Sequence, residues 1–299
     1  MQKSHTKPKL SVVILSHNTK DLLVNCLKSL EKVKNEVDFE TIVVDNGSTD
    51  GSIKTIRHAE FISASDWVLK LVQNDRNVGF AAGNNKARDM AGGKYVLFLN
   101  SDTQVYLNTL PVCIKYLDEH EEVGAMTCRL EMRNGKLDPD SRRSFPTPWK
   151  SFTHFSGLEN IFPHSSLFSQ YRYGRVPEDR IQEVDVIQGA FFLTRKKILD
   201  KVGWFDEDYF LDGEDIDLCW RIKKAGYKII YYPKVSILHV KKGTKGKTKR
   251  SKQTVTSGIN AMEVFYKKHL MQKYPALVNG LVFAGIKILR FIRLVRFVA

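Results

Sequence analysis

Short apolar runs rich in β-branched residues, separated by polar loops and helical periods, fill the first hundred residues. LSVVILS (10–16), ETIVVD (40–45), VLKLVQ (68–73) and YVLFL (95–99) are apolar nearly throughout, as strands covered on both faces must be. Between them the spacing of apolar positions predicts helices over Lys20 to Lys32, Gly51 to His58 and Ala81 to Met90. Strand and helix in alternation are the pattern of βαβ units. The expected fold class is therefore α/β, a mostly parallel, twisted central sheet flanked by helices. A helix over Leu107 to His120 and a strand VGAMTC (123–128) continue the rhythm.

Residues 129–183 break it. Pro139, Pro146, Pro148, Pro163 and Pro177 stand there among aromatic and hydroxyl residues. The segment reads as an irregular insertion, either shaping a substrate cleft or running over the surface. Regular pattern returns with the strand VDVIQGAFFLTR (184–195), helices RKKILDKVG (195–203) and EDIDLCWRIKKAG (214–226), the latter stopped by Gly226, and the strand YKIIYYP (227–233). The main domain is thus expected over 1–240 and an extension over 241–299. That extension holds a basic loop, KKGTKGKTKRSK, a helix over Thr256 to Leu270 and a tail from Pro275. In the tail apolar residues give way to Lys287, Arg290, Arg293 and Arg296. A bilayer span needs about twenty apolar residues, and only about half that number precede the charges. The tail reads as an amphipathic helix on an anionic membrane surface, or as one packed on the domain.

Composition adds a preference in partners. With 47 Lys+Arg against 33 Asp+Glu the net charge is +14, which favours nucleic acid, anionic lipid or a phosphorylated substrate. Nucleic acid is disfavoured, because the basic run lacks the interleaved aromatics on which bases stack. Cys26, Cys113, Cys128 and Cys219 are scattered without C-x-x-C spacing, and the N-terminus lacks a signal-peptide pattern, so a reduced, cytoplasmic setting is expected.

Chemistry gathers where apolar runs end on acids: Asp45, Asp102 and the Glu214–Asp215 pair. Open α/β sheets bind ligands beyond the carboxyl ends of their strands. In VVDNGSTDG a strand-end carboxylate can accept from a base N–H or a ribose hydroxyl; alternatively the motif is a turn and helix cap. NVGFAAGNNKA has neither the G-x-G-x-x-G spacing nor a Walker lysine, which argues against a dinucleotide fold or P-loop. Asp102 in LFLNSD can ligate Mg²⁺ or Mn²⁺ together with phosphate oxygens, or cap a helix. Asp212, Glu214, Asp215 and Asp217 crowd a helix start, where like charges raise a pKa and suit a general base, or merely cap the helix. His239, taken alone, is more readily a core residue than a ligand.

In this order SVVILSHN, VVDNGSTDG, NVGFAAGNN, LFLNSD, GAFFLTRKKILDKVGWFDE and YFLDGEDIDLCWR resemble the family 2 inverting glycosyltransferases of GT-A fold, particularly rhamnosyltransferase-like members acting on bacterial surface polysaccharides. The resemblance covers Leu10 to Lys241. It implies that Asp215 is the general base. Asp102, closing a D-x-D-type motif, and His239 would hold a divalent cation, Mn²⁺ or Mg²⁺. Ser16, Asn18, Asp45, Asn46, Ser48, Asn77, Gly79, Gly83, Asn84 and Ser101 would contact the nucleotide, Asp45 reading a pyrimidine. Gly189, Trp204 and Glu214 would position donor and acceptor. The implied donor is a UDP- or dTDP-sugar, the acceptor a saccharide carried on a lipid, and the site of action the inner face of the cell membrane. Two departures stand out. Asn100 replaces the first carboxylate of the D-x-D motif, which keeps open a catalytically impaired nucleotide-sugar binder. CWRIKK lacks the Q-x-x-R-W signature of processive synases, which points to addition of one sugar per encounter.

Overall fold

The computed structural model describes residues 7–57, 68–241 and 252–298. The four early strands are β1 (Leu10–Ser16), β2 (Phe39–Asp45), β3 (Val68–Gln73) and β4 (Tyr95–Asn100). They run parallel in the order β3-β2-β1-β4. Alternate side chains of β1 enter different cores: Val12 and Ile14 pack beneath α1 (Lys20–Lys32), while Val13 faces the opposite layer. Helix α1 buries Leu23, Cys26, Leu27 and Leu30 on one face. Each such leucine contributes about 2 kcal/mol of transfer free energy. The helices α2 (Ser52–Arg57) and α3 (Phe80–Asn85) follow β2 and β3. His58, closing the expected second helix, and most of the basic run after Lys241 lie outside the described residues.

Beyond β4 the sheet becomes mixed. After β5 (Thr103–Val105), α4 (Thr109–Glu119) and β6 (Val123–Glu131), the chain passes through β7 (Arg142–Arg143), α5 (Pro148–Phe155), α6 (Leu158–Ile161), β8 (Gln182–Glu183) and β9 (Val186–Ile187). It then enters β10 (Phe191–Arg195), which pairs antiparallel with both β4 and β6. A parallel neighbour needs a crossover, usually helical; β10 follows a loop out of β9 and is free to run the other way. Helices α7 (Lys196–Val202) and α8 (Glu214–Lys224) cover the second face.

The last strand, β11 (Lys228–His239), is longer than the sequence pattern suggests. Pro233 does not end it: the register against β6 shifts between Tyr232 and Ser236, and a proline is tolerated at such an irregularity. Continued past the bulge, β11 pairs His239 with Thr103 of β5. All four cysteines are free and buried. The C-terminal helices are α9 (Lys252–Phe265), widened into a π-helical turn over Tyr266–Leu270, and α10 (Ala276–Val298). They meet the domain through Phe145, Trp220 and Phe265, whose rings lie 4.7–6.3 Å apart.

Candidate active site

A cleft of about 460 Å³ opens at the carboxyl ends of β1 and β4, bounded by the start of α8 and the end of β11. It brings together residues from opposite ends of the sequence. Asn46, Asn77, Gly79, Ser101, Asp102, Gly189, Glu214, Asp215 and His239, all anticipated, line it.

Asp102 and His239 form one wall. The β5–β11 pairing sets His239 Nε2 3.4 Å from Asp102 Oδ1, and Val240 N–H donates to the Asp102 carbonyl at 2.9 Å. The other ring nitrogen, Nδ1, lies 2.8 Å from Asp138 Oδ2. Burial alone would depress the imidazole pKa, but hydrogen bonds to Asp102 and Asp138 outweigh it and lift the value to about 9. Two acids flanking one imidazole have two uses. They make an ion pair, and they also fix the tautomer of a metal ligand, with Asp138 holding Nδ1–H while Nε2 faces the cleft beside a carboxylate. The described residues contain no group of three or more acidic, His or Cys side chains able to hold a metal. Asp102 and His239, one carboxylate and one imidazole, are donor types that a divalent cation accepts beside phosphate oxygens and water.

Asp215 stands on another wall, in the first turn of α8. Its Oδ1 accepts the Ile216 N–H at 2.8 Å and its Oδ2 accepts from Arg143 Nη2 at 2.5 Å. Arg143 is held firmly charged: burial opposes this, but Asp215 foremost, then Tyr171 and Asp140, prevail. Glu214 beside it behaves differently. Burial, with the charges of Asp215 and Asp212 adding to it, pushes its carboxyl well above the ordinary range, and Oε2 has no hydrogen-bond partner. A Glu that stays protonated when folded but ionises when unfolded loses stability for the protein as pH rises through its ordinary value of 4.5, until the folded group ionises too. Glu214→Gln is therefore expected to raise the thermal midpoint at pH 7 by about 2 °C or more, with no gain below pH 4. Calorimetry at the two pH values measures this; an equal shift at both removes the protonation argument.

Asn46, Asn77 and Gly79 build the floor. The Asn46 amide donates to Asn77 Oδ1 at 2.9 Å and to the Gly79 carbonyl at 3.0 Å, and its oxygen accepts from Asn74 and Val78. These bonds saturate the side chain, so its first role is to hold the loop. Gly79 has φ of +93°, and a Cβ there would lie 2.4 Å from the Phe210 carbonyl. Gly79→Ala is expected to cost about 1–3 kcal/mol and to lower the melting midpoint by several degrees, readable in a thermal scan.

Other anticipated contacts fall behind the cleft wall. Asp45 is sealed from solvent; Oδ2 accepts from Ser48 N–H at 3.0 Å, while Oδ1 has no partner. Asn18 bonds Ser48 and Thr49, and Ser16 joins Thr19 and Ser101 in a chain of hydroxyls at 2.8 and 2.9 Å. Thr19 thus spends its hydroxyl on Ser101 instead of capping α1. Gly83, Asn84 and Trp204, also expected at the site, do not line the cleft. Gly83 is small because a Cβ would meet Leu15 at 2.6 Å, a helix-on-strand contact, and Asn84 turns its amide back to the Phe80 carbonyl. Trp204 is a core residue, edge-on to Phe98 with ring centres 5.6 Å apart and its indole N–H on Asp200, away from any substrate in the cleft.

The cleft also holds residues that pattern reading passed over: His17, Asp140, Arg143, Gln188 and Lys241. Lys241 reaches Asp138 at 2.6 Å and Asp140 at 3.0 Å. The Asp140 carboxyl, for which burial works upward, is brought down to about 2 chiefly by Lys241 and Arg143. The site is therefore a set of interlocked ion pairs around an open centre, with the Asp215–Arg143 pair on one wall and the Asp102–His239–Asp138 set on another.

A family model described as Glycosyl transferase family 2 matches residues 11–203. The chain belongs to glycosyltransferase family 2. This family 2 glycosyltransferase is 27% identical over 252 residues to the N-acetylglucosaminyl-diphospho-decaprenol L-rhamnosyltransferase of Mycobacterium tuberculosis strain H37Rv, spanning 80% of this chain and 78% of that one. It is also 27% identical over 233 residues to the rhamnosyltransferase WbbL of Escherichia coli K12, spanning 76% and 82%. Among solved structures, the mannosyltransferase PcManGT of Pyrobaculum calidifontis in complex with GDP-Man and Mn²⁺ superposes with a TM-score of 0.60 at 20% identity, over 88% of this chain and 65% of that chain. The Staphylococcus aureus TarS 1–349 fragment in complex with UDP gives 0.55 at 20% identity, over 86% and 64%. These superpositions bear out the fold expected of a GT-A glycosyltransferase. The Asp102 and Asp215 sites lie in the cleft where such a sheet binds its ligands.

Proposed function

We propose that this glycosyltransferase transfers a sugar, with inversion, from dTDP-rhamnose or a UDP-sugar to a hydroxyl of a lipid-linked saccharide in the synthesis of a bacterial surface polysaccharide. The observation that carries the reading is the placement of Asp215 in the same cleft as the Asp102–His239 pair. Asp215 takes the proton of the acceptor hydroxyl while that oxygen attacks the anomeric carbon. The new C–O bond forms on the face opposite the breaking bond, whose electron pair leaves with the nucleoside diphosphate. Arg143 orients Asp215 through its 2.5 Å contact and keeps a cation beside it. Asp102 and His239 would hold Mn²⁺ or Mg²⁺, which when bound supplies positive charge to the diphosphate. The partnerless Asp45 Oδ1 suits a pyrimidine N–H, reached once the groups covering it move aside. The names of the two rhamnosyltransferase relatives support the choice of sugar, and the decaprenol named in one supports a lipid-linked acceptor.

The tail enters the same reading. No helix of the described residues is long and apolar enough to cross a membrane. Helix α10 packs Val282 and Phe283 against α9, buries Ile286 and ties Arg290 to Glu263 at 2.6 Å. Leu277, Leu281, Ile288, Phe291 and Val295 point away from it, exposed and sharing one face at helical spacing. Internal packing and an outward apolar stripe thus coexist, and we assign the stripe to the inner, cytoplasmic face of the cell membrane. Donor choice is tested by melting the protein with dTDP-rhamnose, UDP-sugars and GDP-mannose, each with Mn²⁺, Mg²⁺ or chelator, and by assaying hydrolysis of each. Stabilisation by one pyrimidine sugar together with turnover supports transfer; stabilisation with no turnover on any acceptor favours the impaired binder that Asn100 leaves open.

A further inference from the structure

The insertion carries a second apolar surface. Between β7 and β8 the chain leaves the domain and returns to its starting point: Ser144 N–H donates to the Tyr171 carbonyl at 2.8 Å, and Arg172 reaches Asp140 at 3.2 Å. The excursion closed by that neck holds α5 and α6. Thr147 and Pro148 start α5, the threonine as its cap and the proline at the first position, where it needs no N–H partner. What the excursion shows to water is unusual. Trp149, Phe152, Phe155, Ile161, Phe162 and Leu167 are all between 42% and 65% exposed.

These side chains are connected, not scattered. Trp149 lies 5.8 Å from Phe152 and 6.1 Å from Phe168, and Phe168 lies 5.4 Å from Phe162. Trp149 donates its indole N–H to the Leu167 carbonyl at 2.9 Å, so its polar atom is satisfied within the chain while its ring stays outside. Connected apolar patches of this kind mark contact surfaces. Charge selects the occupant. From 144 to 177 the cations are Lys150, Arg172 and Arg175, and the one carboxylate is Glu159, which is 5% exposed and turned onto His154 at 3.0 Å. Lys150 and Arg172 face Asp185 and Asp140 at 3.9 and 3.2 Å, and Arg175 is exposed. An exposed aromatic surface on a stretch with more cations than acids and no exposed acid of its own suits an anionic bilayer, in which Trp and Phe settle at the head-group level.

We propose that the aromatic face of this excursion is a membrane-contact surface, separate from the α10 stripe, that seats the cleft over the bilayer carrying the acceptor. The cleft residues Asp140 and Arg143 precede the excursion on the same strand and turn, so a surface docked through it holds the wall of the site nearest the lipid. The proposal rests on the lipid-linked acceptor of the preceding reading for its purpose, and its test does not need the enzyme to be active. Full-length protein is floated with vesicles of phosphatidylcholine containing 30% phosphatidylglycerol, and with phosphatidylcholine alone, alongside Phe152→Ser/Phe162→Ser and Leu281→Ser/Phe291→Ser. Each double variant is expected to partition about tenfold less onto the anionic vesicles, and the wild type to prefer them over neutral ones. Turnover on a short water-soluble acceptor is expected to be unchanged in the Phe152/Phe162 variant, while KM for a vesicle-borne acceptor rises. Wild-type partitioning by that variant overturns the proposal, as does a wild-type dimer in size-exclusion chromatography that the variant converts to monomer. Vesicle binding by a protein that transfers no sugar would refute the transferase reading and leave this surface standing.

Discussion

Asp215→Asn is expected to lower the rate of sugar transfer by about 10³-fold while nucleotide affinity changes by less than about twofold. The substitution keeps the size of the side chain, and its one amide oxygen can still accept from the Ile216 N–H, so the first turn of α8 should hold, while the bond from Arg143 to the second carboxylate oxygen is lost. What is lost is the group proposed to take the acceptor proton, an interaction worth nothing until the hydroxyl attacks. A loss confined to kcat is the signature of such a group. Steady-state kinetics paired with nucleotide titration by calorimetry separate the two effects. Comparable losses in kcat and in nucleotide affinity would mean that Asp215 is structural, and full activity would remove it from the mechanism. Arg143→Lys is informative beside it. A lysine keeps the charge but not the planar fork, so partial activity there would show that orientation of Asp215, and not charge alone, matters.

The second large effect is expected at the opposite wall. Asp102→Ala should lower kcat/KM by about 10²-fold or more and erase the difference between assays with Mn²⁺ and with chelator. His239 would keep its 2.8 Å contact with Asp138, so the fold of β11 is not at stake. A readout independent of turnover is thermal stabilisation by nucleoside diphosphate. In the wild type, Mn²⁺ is expected to add to it; in Asp102→Ala the increment should vanish. Activity in the wild type that ignores chelation would assign Asp102 and His239 to a buried ion pair instead, with Lys241 and Arg143 left to meet the diphosphate charge.

The strand ends were readable because their signal is local. A run of seven buried residues in β2 ending on Asp45 requires only neighbours in sequence to be recognised, and the same holds for β4 and the start of α8. The roles proposed for them come from the resemblance carried by the joint order of motifs, since each acid alone is also a good turn or cap residue. What pattern reading missed depends on contacts distant in sequence. Arg143 sits in a stretch whose prolines read as breakers, yet Pro148 is at the first position of α5, where proline favours the helix. Lys241 and Asp138 have no periodic signal, and they are 103 residues apart in number while 2.6 Å apart in space. The strand-like stretches YKIIYYP and VSILHV on either side of Pro233 form one strand through a bulge, and that continuity carries His239 to Asp102. Gly83 and Trp204, expected as nucleotide and substrate contacts, pack against Leu15 and Phe98, neighbours that the local pattern does not reveal.

Inverting transfer with Asp215 as the base fixes the anomeric configuration of the product. Incubation with dTDP-rhamnose or the stabilising UDP-sugar and a lipid-linked saccharide acceptor, followed by NMR of the isolated product, should show one added sugar whose anomeric configuration is opposite to that in the donor, and none with Asp215→Asn. A product that retains the donor configuration would rule out inverting transfer, and equal yields from the wild type and Asp215→Asn would rule out Asp215 as the base.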